Sequence, residues 1–173
     1  MIKQAIMITW NGFQDQEVIY PYYRLLEDGF KVSIAAENAG DISGIFGIKF
    51  KSDYSVDELN ESEFDFLVLP GGVKALEKLR QNKNALDFIS EWNSKGKIIA
   101  STCHGAQLLI SARVVLGRTI SGYYSIKDDI ENAGGKYSYD GCVIDDNIIS
   151  SPHYKHMGEW MHGALSEYYK RNK

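Results

Sequence analysis

The sequence of 173 residues has little cysteine and no long apolar run, and each scarcity excludes a class of protein. Its two cysteines, Cys103 and Cys142, are too few for the disulfide framework of a small secreted domain. Its uninterrupted apolar runs, such as 66–69, are far shorter than the roughly 20 residues of a membrane-spanning helix. The first residues, MIKQAIMITW, lack the cleavage pattern of a secretory signal. These features predict a cytoplasmic protein with free thiols and no membrane partner.

Neither sign of charge is in large excess. Lys and Arg number 19 and Asp and Glu number 23, which gives a formal net charge of −4 and a pI of about 5.6. Because nucleic-acid-binding proteins usually carry a basic surface, the sequence predicts no nucleic-acid partner. Hydrophobic residues make up 44% and charged residues 24%, which is ordinary for a globular protein. The length suits one core, so we expect a single domain over residues 1–173.

The chain does contain a regular alternation of strand and helix patterns. Apolar and β-branched runs predict strands at 4–9, 31–36, 64–72, 97–101, 142–145 and 147–150. Apolar residues at helical spacing predict helices at 17–29, 85–94, 105–117, 125–135 and 157–169. Pro21 is expected in the first turn of its helix, and 47–56 is expected to form a small hairpin or an edge strand. Such alternation favours an α/β fold with a mainly parallel sheet covered on both faces.

The stretch KGKIIASTCHGAQLLISA places a thiol and an imidazole where a strand turns into a helix. There Cys103 would stand exposed above the sheet edge, near helix N–H groups that favour a thiolate. Gly105 would let the helix approach the turn, and the N–H of His104 would face an oxyanion. The alternative is that Cys103 is a small buried residue in an ordinary turn. Because adjacent side chains project differently, His104 is not obviously placed to deprotonate Cys103.

Two further loops belong to the same predicted sheet edge. The sequence LPGG at 69–72 ends a strand, and its glycines let a backbone N–H approach a ligand closely, so Gly72 is a candidate oxyanion donor. Glu17 opens the first helix just after a strand, although taken alone it is better explained as a solvated carboxylate at a helix N-terminus. Since the carboxyl ends of parallel strands meet at one edge, we expect Glu17, Gly72 and Cys103 to converge.

The remaining candidates are histidines and tyrosines. SPHYKHMGEWMHG carries His153, His156 and His162, but their spacing fits no familiar metal site, so we predict no bound metal. His153 follows a strand's carboxyl end and is a candidate for lining the Cys103 pocket. Tyr123 and Tyr124 could wall the same pocket, although a place in the core or an interface is the simpler interpretation.

The early Glu, the strand ending in PGG and the segment TCHGAQLLISA together resemble the ThiJ/PfpI superfamily, in its PfpI-type branch of intracellular cysteine hydrolases. This superfamily is related to class I glutamine amidotransferase-like folds. The resemblance covers nearly the whole chain and includes DDIENAGG and NIISSPH. It implies a flavodoxin-like three-layer sandwich, assembly into homo-oligomers (dimers or hexamers), and no metal or organic cofactor.

The resemblance also implies roles for individual residues. Cys103 would be the nucleophile, and Glu17 a protonated carboxyl group that hydrogen-bonds its sulfur. The amides of Gly72 and His104 would form the oxyanion hole, with Gly71 as a candidate pocket residue. Protonation of Glu17 requires a raised pKa, from burial or from the adjacent negative sulfur.

In the PfpI-type branch, the histidine after the cysteine is oriented by a Glu of a neighbouring subunit. Here PGGVKALEKLR offers Glu77 as this intersubunit acid, one residue further along than in the PfpI pattern. An exposed helix charge with no such role is the alternative for Glu77.

The implied function is a cofactor-free cysteine hydrolase whose partner is a small-molecule or peptide substrate. It would act on amide or peptide carbonyls, or on reactive aldehydes such as methylglyoxal in a glyoxalase or deglycase reaction. Glu17 and His104 disfavour the branch that hydrates isocyanides, which has an Asp for the Glu and lacks the His. An alternative is an oxidative-stress sensor or a chaperone-like stress protein, because an acidic thiol oxidises readily. A sensor, unlike a hydrolase, has no need of His104.

Overall fold

The structure, a computed structural model, describes residues 2–173. Its strands are β1 (Lys3–Ile8), β2 (Phe30–Ala36), β3 (Gly40–Ser43), β4 (Lys49–Ser52), β5 (Tyr54–Ser55), β6 (Phe66–Leu69), β7 (Ile99–Thr102), β8 (Thr119–Ser121), β9 (Lys136–Ser138), β10 (Val143–Asp145) and β11 (Ile148–Ser151). Its helices are α1 (Asp15–Glu27), α2 (Val73–Leu79), α3 (Lys83–Ser94), α4 (Ala106–Ser111), α5 (Lys127–Asn132) and α6 (Met157–Arg171). Within this described part of the chain, no helix has the length and apolar character needed to cross a bilayer.

A seven-stranded sheet forms the centre of the fold, in the order β10-β11-β7-β6-β1-β2-β5. All neighbouring strands are parallel except β10 and β11, which form an antiparallel hairpin. The predicted α/β fold with a mainly parallel sheet is therefore confirmed. From β1 the chain moves to β2 on one side, whereas β6 lies on the other side. The order of the strands thus reverses at β1 and β6, where α/β proteins usually bind ligands.

Helices cover both faces because the crossover connections run in opposite directions from this point. On one face α1 packs against α6, and on the other α3 packs against α4. The largest fully buried side chains include Trp92 on α3 and Trp160 on α6. Their indole N–H groups donate to the carbonyls of Ile98 (2.9 Å) and Ile149 (3.1 Å), so both buried indoles have hydrogen-bond partners.

Several predicted boundaries are wrong for identifiable reasons. The helix predicted at 105–117 ends at Ser111, because Arg113 adopts a left-handed backbone with φ 61°. Helix α2 and the short strands β3, β8 and β9 are additional to the predicted elements. The segment 47–56, predicted as a hairpin or an edge strand, contributes β4, which pairs with β3, and β5, which is the edge strand of the large sheet. The first helix begins at Asp15, so Pro21 lies inside it and not in its first turn. Because proline has no N–H, the carbonyl of Glu17 lacks its usual helical partner.

Candidate active site

Cys103 lies on a sharp strand-to-helix turn. It follows β7 directly and opens a 3₁₀ turn, Cys103–Gly105, that leads into α4. Its φ of 56° lies in the left-handed region, which costs a side chain other than glycine on the order of 1–2 kcal/mol. Cys103 is 8% exposed, so the expectation that it stands exposed above the sheet edge is wrong and the thiol is buried. A strained turn of this kind holds a nucleophile at the end of the sheet.

Gly105 lets this turn sit against the end of β6. A Cβ atom at this position would lie 2.2 Å from the backbone oxygen of Leu69 and 3.1 Å from that of Pro70. Backbone oxygens cannot move aside as a flexible side chain can, so no larger residue fits without shifting the turn. The prediction that Gly105 permits close approach is confirmed.

Replacing Gly105 with alanine is expected to lower the free energy of unfolding by about 3 kcal/mol, because the added methyl group overpacks a backbone contact. Gly158→Ala is the matched control, since its Cβ would meet only the hydroxyl of Tyr20, at 3.9 Å. We expect the control to be as stable as the native chain or slightly more so. Urea denaturation of both variants measures the difference, and equal stabilities would contradict the close packing at Gly105.

Glu17 brings a buried carboxyl group to the same place. It lies in the first turn of α1, is 0% exposed, and accepts the N–H of Gly71 at Oε2 (2.7 Å). Its Oε1 has no partner among residues 2–173 other than the adjacent thiol of Cys103, whose interaction with the carboxyl group lowers the pKa of Glu17. Burial raises the pKa of Glu17 to about 7, although the Gly71 N–H opposes the shift. This carboxyl group can therefore gain or lose a proton near neutral pH.

Gly71 lies behind the site and does not line its cavity, which corrects its expected place as a pocket residue. A Cβ at Gly71 would lie 2.4 Å from Oε2 of Glu17 and 2.9 Å from Cβ of Cys103. The absence of a side chain therefore lets Glu17 and the turn at Cys103 approach each other. Gly72, the next residue, does line the cavity beside Cys103.

The imidazole of His104 contacts the thiol of Cys103, although the side chains of adjacent residues were expected to project in different directions. Its Nδ1 is 3.3 Å from Sγ of Cys103, and its Nε2 is 3.3 Å from Oγ of Ser125. The left-handed backbone at Cys103 turns the thiol towards the following side chain, which a regular strand or helix would not do. Burial lowers the pKa of His104, so its ring is neutral at neutral pH.

The expected acidity of Cys103 is reversed in the folded chain. Burial raises the pKa of its thiol, and the negative charge of an ionised Glu17 raises it further, while the N–H of His104 opposes both. The helix that follows the turn, α4, has only six residues, so its N-terminal dipole is weak against this desolvation. The resting thiol is therefore neutral and needs a base when it reacts.

A cavity of about 600 Å³ opens in front of Cys103. Tyr123, His153 and Tyr154 form one wall of it. The ring of Tyr123 lies 4.8 Å from that of His104 and 5.8 Å from that of His153, and the rings of His153 and Tyr154 are 4.0 Å apart. Pockets of this size accept small ligands and side chains.

Some of the other candidate residues line this cavity and others do not. Glu77 lines it from the exposed face of α2, next to Lys74. Tyr124 is exposed and does not line it, and His156 pairs with Glu159 on the surface. Within residues 2–173, no group of three or more His, Cys, Asp or Glu side chains is arranged to hold a metal ion.

Sequence reasoning missed Lys74, Ser125 and Tyr154. Lys74 follows the end of β6 and Tyr154 follows the end of β11. Their neighbours Gly72 and His153 were predicted to line the site, so the same reasoning extends to these two residues. Nothing in the spacing signalled Ser125, because its turn at Tyr124–Ile126 belongs to a different connection from the one that carries Cys103.

Comparison with known proteins identifies the family. Residues 3–167 match the DJ-1/PfpI family. "Deglycase PfpI" of Pyrococcus furiosus is 43% identical over 158 residues, covering 91% of this chain and 95% of the relative. "Protein/nucleic acid deglycase 2" of Escherichia coli is 34% identical over 152 residues, covering 86% and 87%. The structure of Drosophila melanogaster DJ-1beta superposes with a TM-score of 0.87 at 26% identity, covering 98% of this chain and 90% of that one. The chain belongs to the DJ-1/PfpI family.

Proposed function

We propose that the chain is a cofactor-free cysteine hydrolase of the deglycase type, with Cys103 as its nucleophile. The arrangement that supports this most is the thiol of Cys103 on a strained turn, with a neutral imidazole nitrogen 3.3 Å from its sulfur. A carboxyl group that titrates near neutral pH lies beside it. The relatives from Pyrococcus furiosus and Escherichia coli are named deglycases, which supports the deglycase type, and we propose adducts of reactive dicarbonyls as the substrates.

The first step adds the thiol to a carbonyl carbon. Because the thiol is a weak acid here and the imidazole a weak base, the resting pair is neutral. As sulfur bonds to carbon, Nδ1 of His104 takes the thiol proton, and the carbonyl oxygen gains the negative charge. The N–H groups of Gly72 and His104 stabilise this oxyanion. Return of the proton from His104 to oxygen completes a hemithioacetal.

The second step converts a dicarbonyl substrate into a hydroxy acid. Glu17, as a carboxylate, removes the proton from the carbon bound to sulfur, which leaves an enediolate. Glu17 then returns the proton to the neighbouring carbon, and the hydroxyl proton on the first carbon passes to the oxygen of the second. The product is a thioester of Cys103, which water hydrolyses to a hydroxy acid and the free thiol. The net reaction adds one water molecule and needs no oxidant or reductant.

An aldehyde bound to an amine follows the same route after one exchange. In such an adduct the carbon carries a hydroxyl group and the amine nitrogen. Sulfur of Cys103 replaces this nitrogen, and the amine leaves with the proton that His104 took from the thiol. The cavity of about 600 Å³ is larger than a three-carbon dicarbonyl needs, which supports a substrate carried on an amino-acid side chain.

Assembly of the chain with copies of itself is part of the proposal. The loop after β3 exposes Phe46 (74% exposed) and Ile45, and Val73 at the start of α2 is also exposed. Ile45 and Val73 line the cavity, so a neighbouring subunit that covered them would reach the site. Glu77 remains the candidate for an acid shared between subunits.

A redox sensor is less well supported than a hydrolase. Peroxide oxidises the thiolate form of cysteine, and burial raises the pKa of Cys103 and so depletes that form. A base next to the sulfur, which His104 provides, suits a reaction that removes the proton during attack.

A substrate panel tests the proposed reaction. The protein is incubated in the presence of a metal chelator with methylglyoxal, with its adducts to N-acetyl-lysine and N-acetyl-cysteine, and with model peptides and small amides. We expect the adducts to yield lactate and the free amine or thiol, followed by NMR, while the chelator leaves the rate unchanged. Hydrolysis of peptides alone would replace the deglycase assignment with a protease, and lactate formation at the rate of the protein-free blank would overturn it.

A further inference from the structure

The imidazole of His104 is held at both of its nitrogen atoms by groups of its own chain. Nδ1 faces Sγ of Cys103 and Nε2 faces Oγ of Ser125, each at 3.3 Å. Ser125 belongs to the 3₁₀ turn Tyr124–Ile126, between β8 and α5. This segment is bonded to the turn at Cys103, because the N–H of Tyr123 donates to the carbonyl oxygen of Cys103 (3.2 Å). The ring of Tyr123 also covers a face of the imidazole.

The direction of the hydrogen bond between Nε2 and the Ser125 hydroxyl, which can donate or accept, decides what Nδ1 can do. A neutral imidazole carries one proton, and the nitrogen without it is the acceptor. If Nε2–H donates to the Ser125 oxygen, Nδ1 keeps its lone pair and can take the thiol proton. If Nδ1 carries the proton, the ring presents a donor to the sulfur and cannot act as its base. The two tautomers therefore differ in catalytic competence.

We propose that Ser125 is a positioning residue that holds His104 in the tautomer able to deprotonate Cys103. This inference rests on the proposed hydrolase function. A hydroxyl group accepts the Nε2 proton both before and after His104 takes a second proton, so it stays paired through the reaction. Unlike a carboxylate, it adds no charge that would raise the pKa of the imidazole.

Several other titratable groups surround His104 and bear on its pH dependence. Cys103 and Tyr123 contact the ring, and Glu17 lies beyond the sulfur. His153 and Glu77 line the same cavity. None of them approaches Nε2 within hydrogen-bond distance, where Ser125 is the partner in the part of the chain that the structure describes.

The test compares Ser125→Ala, which removes the hydroxyl, with Ser125→Thr, which keeps it. Nitrogen NMR of the resting protein, with His104 assigned from a His104→Gln variant, is expected to show the Nε2–H tautomer in the native chain and in Ser125→Thr. Ser125→Ala is expected to show a mixture of tautomers. It is also expected to lower kcat about five- to tenfold with little change in KM, and to slow alkylation of Cys103 by iodoacetamide at neutral pH by a similar factor. Ser62→Ala, in a 3₁₀ turn at the opposite end of the sheet, is the control.

The NMR and alkylation readouts need no substrate, so they separate this inference from the proposed function. A native tautomer and native alkylation rate in Ser125→Ala would overturn the role of Ser125, whatever the protein hydrolyses. Full turnover by Cys103→Ala would overturn the hydrolase mechanism, while the tautomer measurement would still decide how Ser125 acts on His104.

Discussion

Replacing Cys103 with alanine is expected to reduce kcat/KM for the dicarbonyl adduct at least about a thousandfold, to near the rate of the protein-free blank. Both chemical steps require a bond to sulfur, since the proton transfer that forms the thioester takes place on the hemithioacetal. The oxyanion donors and Glu17 remain in the variant, but they have no covalent intermediate to act on. Lactate formation followed by NMR measures the loss.

Two variants make the result specific to this sulfur. Cys142→Ala removes the other cysteine, which is half-buried and lies outside the cavity, and we expect it to keep native activity. Cys103→Ser retains a side chain of similar shape, but its hydroxyl group is a much weaker acid than a thiol. We therefore expect this variant to be nearly as inactive as the alanine variant. Circular dichroism and urea denaturation confirm that each variant folds. A Cys103→Ala protein that kept a tenth of native activity would rule out sulfur as the nucleophile.

The convergence of the site was predictable from the sequence because parallel strands share a direction. β1, β6 and β7 all end at the same edge, so residues just beyond them, such as Glu17, Gly72 and Cys103, have to meet there. The alternation of apolar strands with helical patterns was sufficient to predict a mainly parallel sheet covered on both faces, but not the order of its strands. Short pieces such as β8 and β9, of three residues each, leave too little periodicity to be recognised.

The chemistry of the thiol was not predictable in the same way. Its position at the start of a helix favours a thiolate, but its acidity depends on how completely the surrounding elements exclude water. Burial of Cys103 and the nearby charge of Glu17 are tertiary features, and together they outweigh the helix end. The contact between His104 and Ser125 is likewise set by how two separate connections fold together.

Glu17 and Cys103 are not both ionised at neutral pH. Two negative groups this close in a buried site repel each other, so the pair carries at most one charge at neutral pH. Glu17 loses its proton at the lower pH, which leaves the thiol protonated until His104 removes its proton. Burial of this carboxyl group thus lowers the free energy of unfolding at neutral pH, and it also provides the site with a proton acceptor.

That cost can be measured with Glu17→Gln. In the unfolded chain Glu17 has a pKa near 4.5, and in the folded chain a pKa of about 7. Between these values the folded state binds more protons, so the contribution of Glu17 to stability falls as pH rises from about 4.5 to about 7 and stays low above it, by about 3 kcal/mol in all. Glutamine has no such dependence and can still accept the Gly71 N–H. We therefore expect Glu17→Gln to match the native chain at low pH and to be about 3 kcal/mol more stable at pH about 8.

Glu61→Gln gives a control of opposite sign. Hydrogen bonds and charges from Lys95 and Lys97 lower the pKa of Glu61, so its contribution to stability is present above the unfolded pKa and is lost as pH falls through the folded one. Its removal should therefore weaken the protein at neutral pH and matter less in acid. Urea denaturation of the three proteins across this pH range distinguishes the two cases, because titration of groups that do not interact with the substituted residue cancels in the differences. A Glu17→Gln protein whose stability changed with pH in parallel with the native chain would show that Glu17 ionises as freely in the fold as in water, and the site would then lack its neutral-pH proton acceptor.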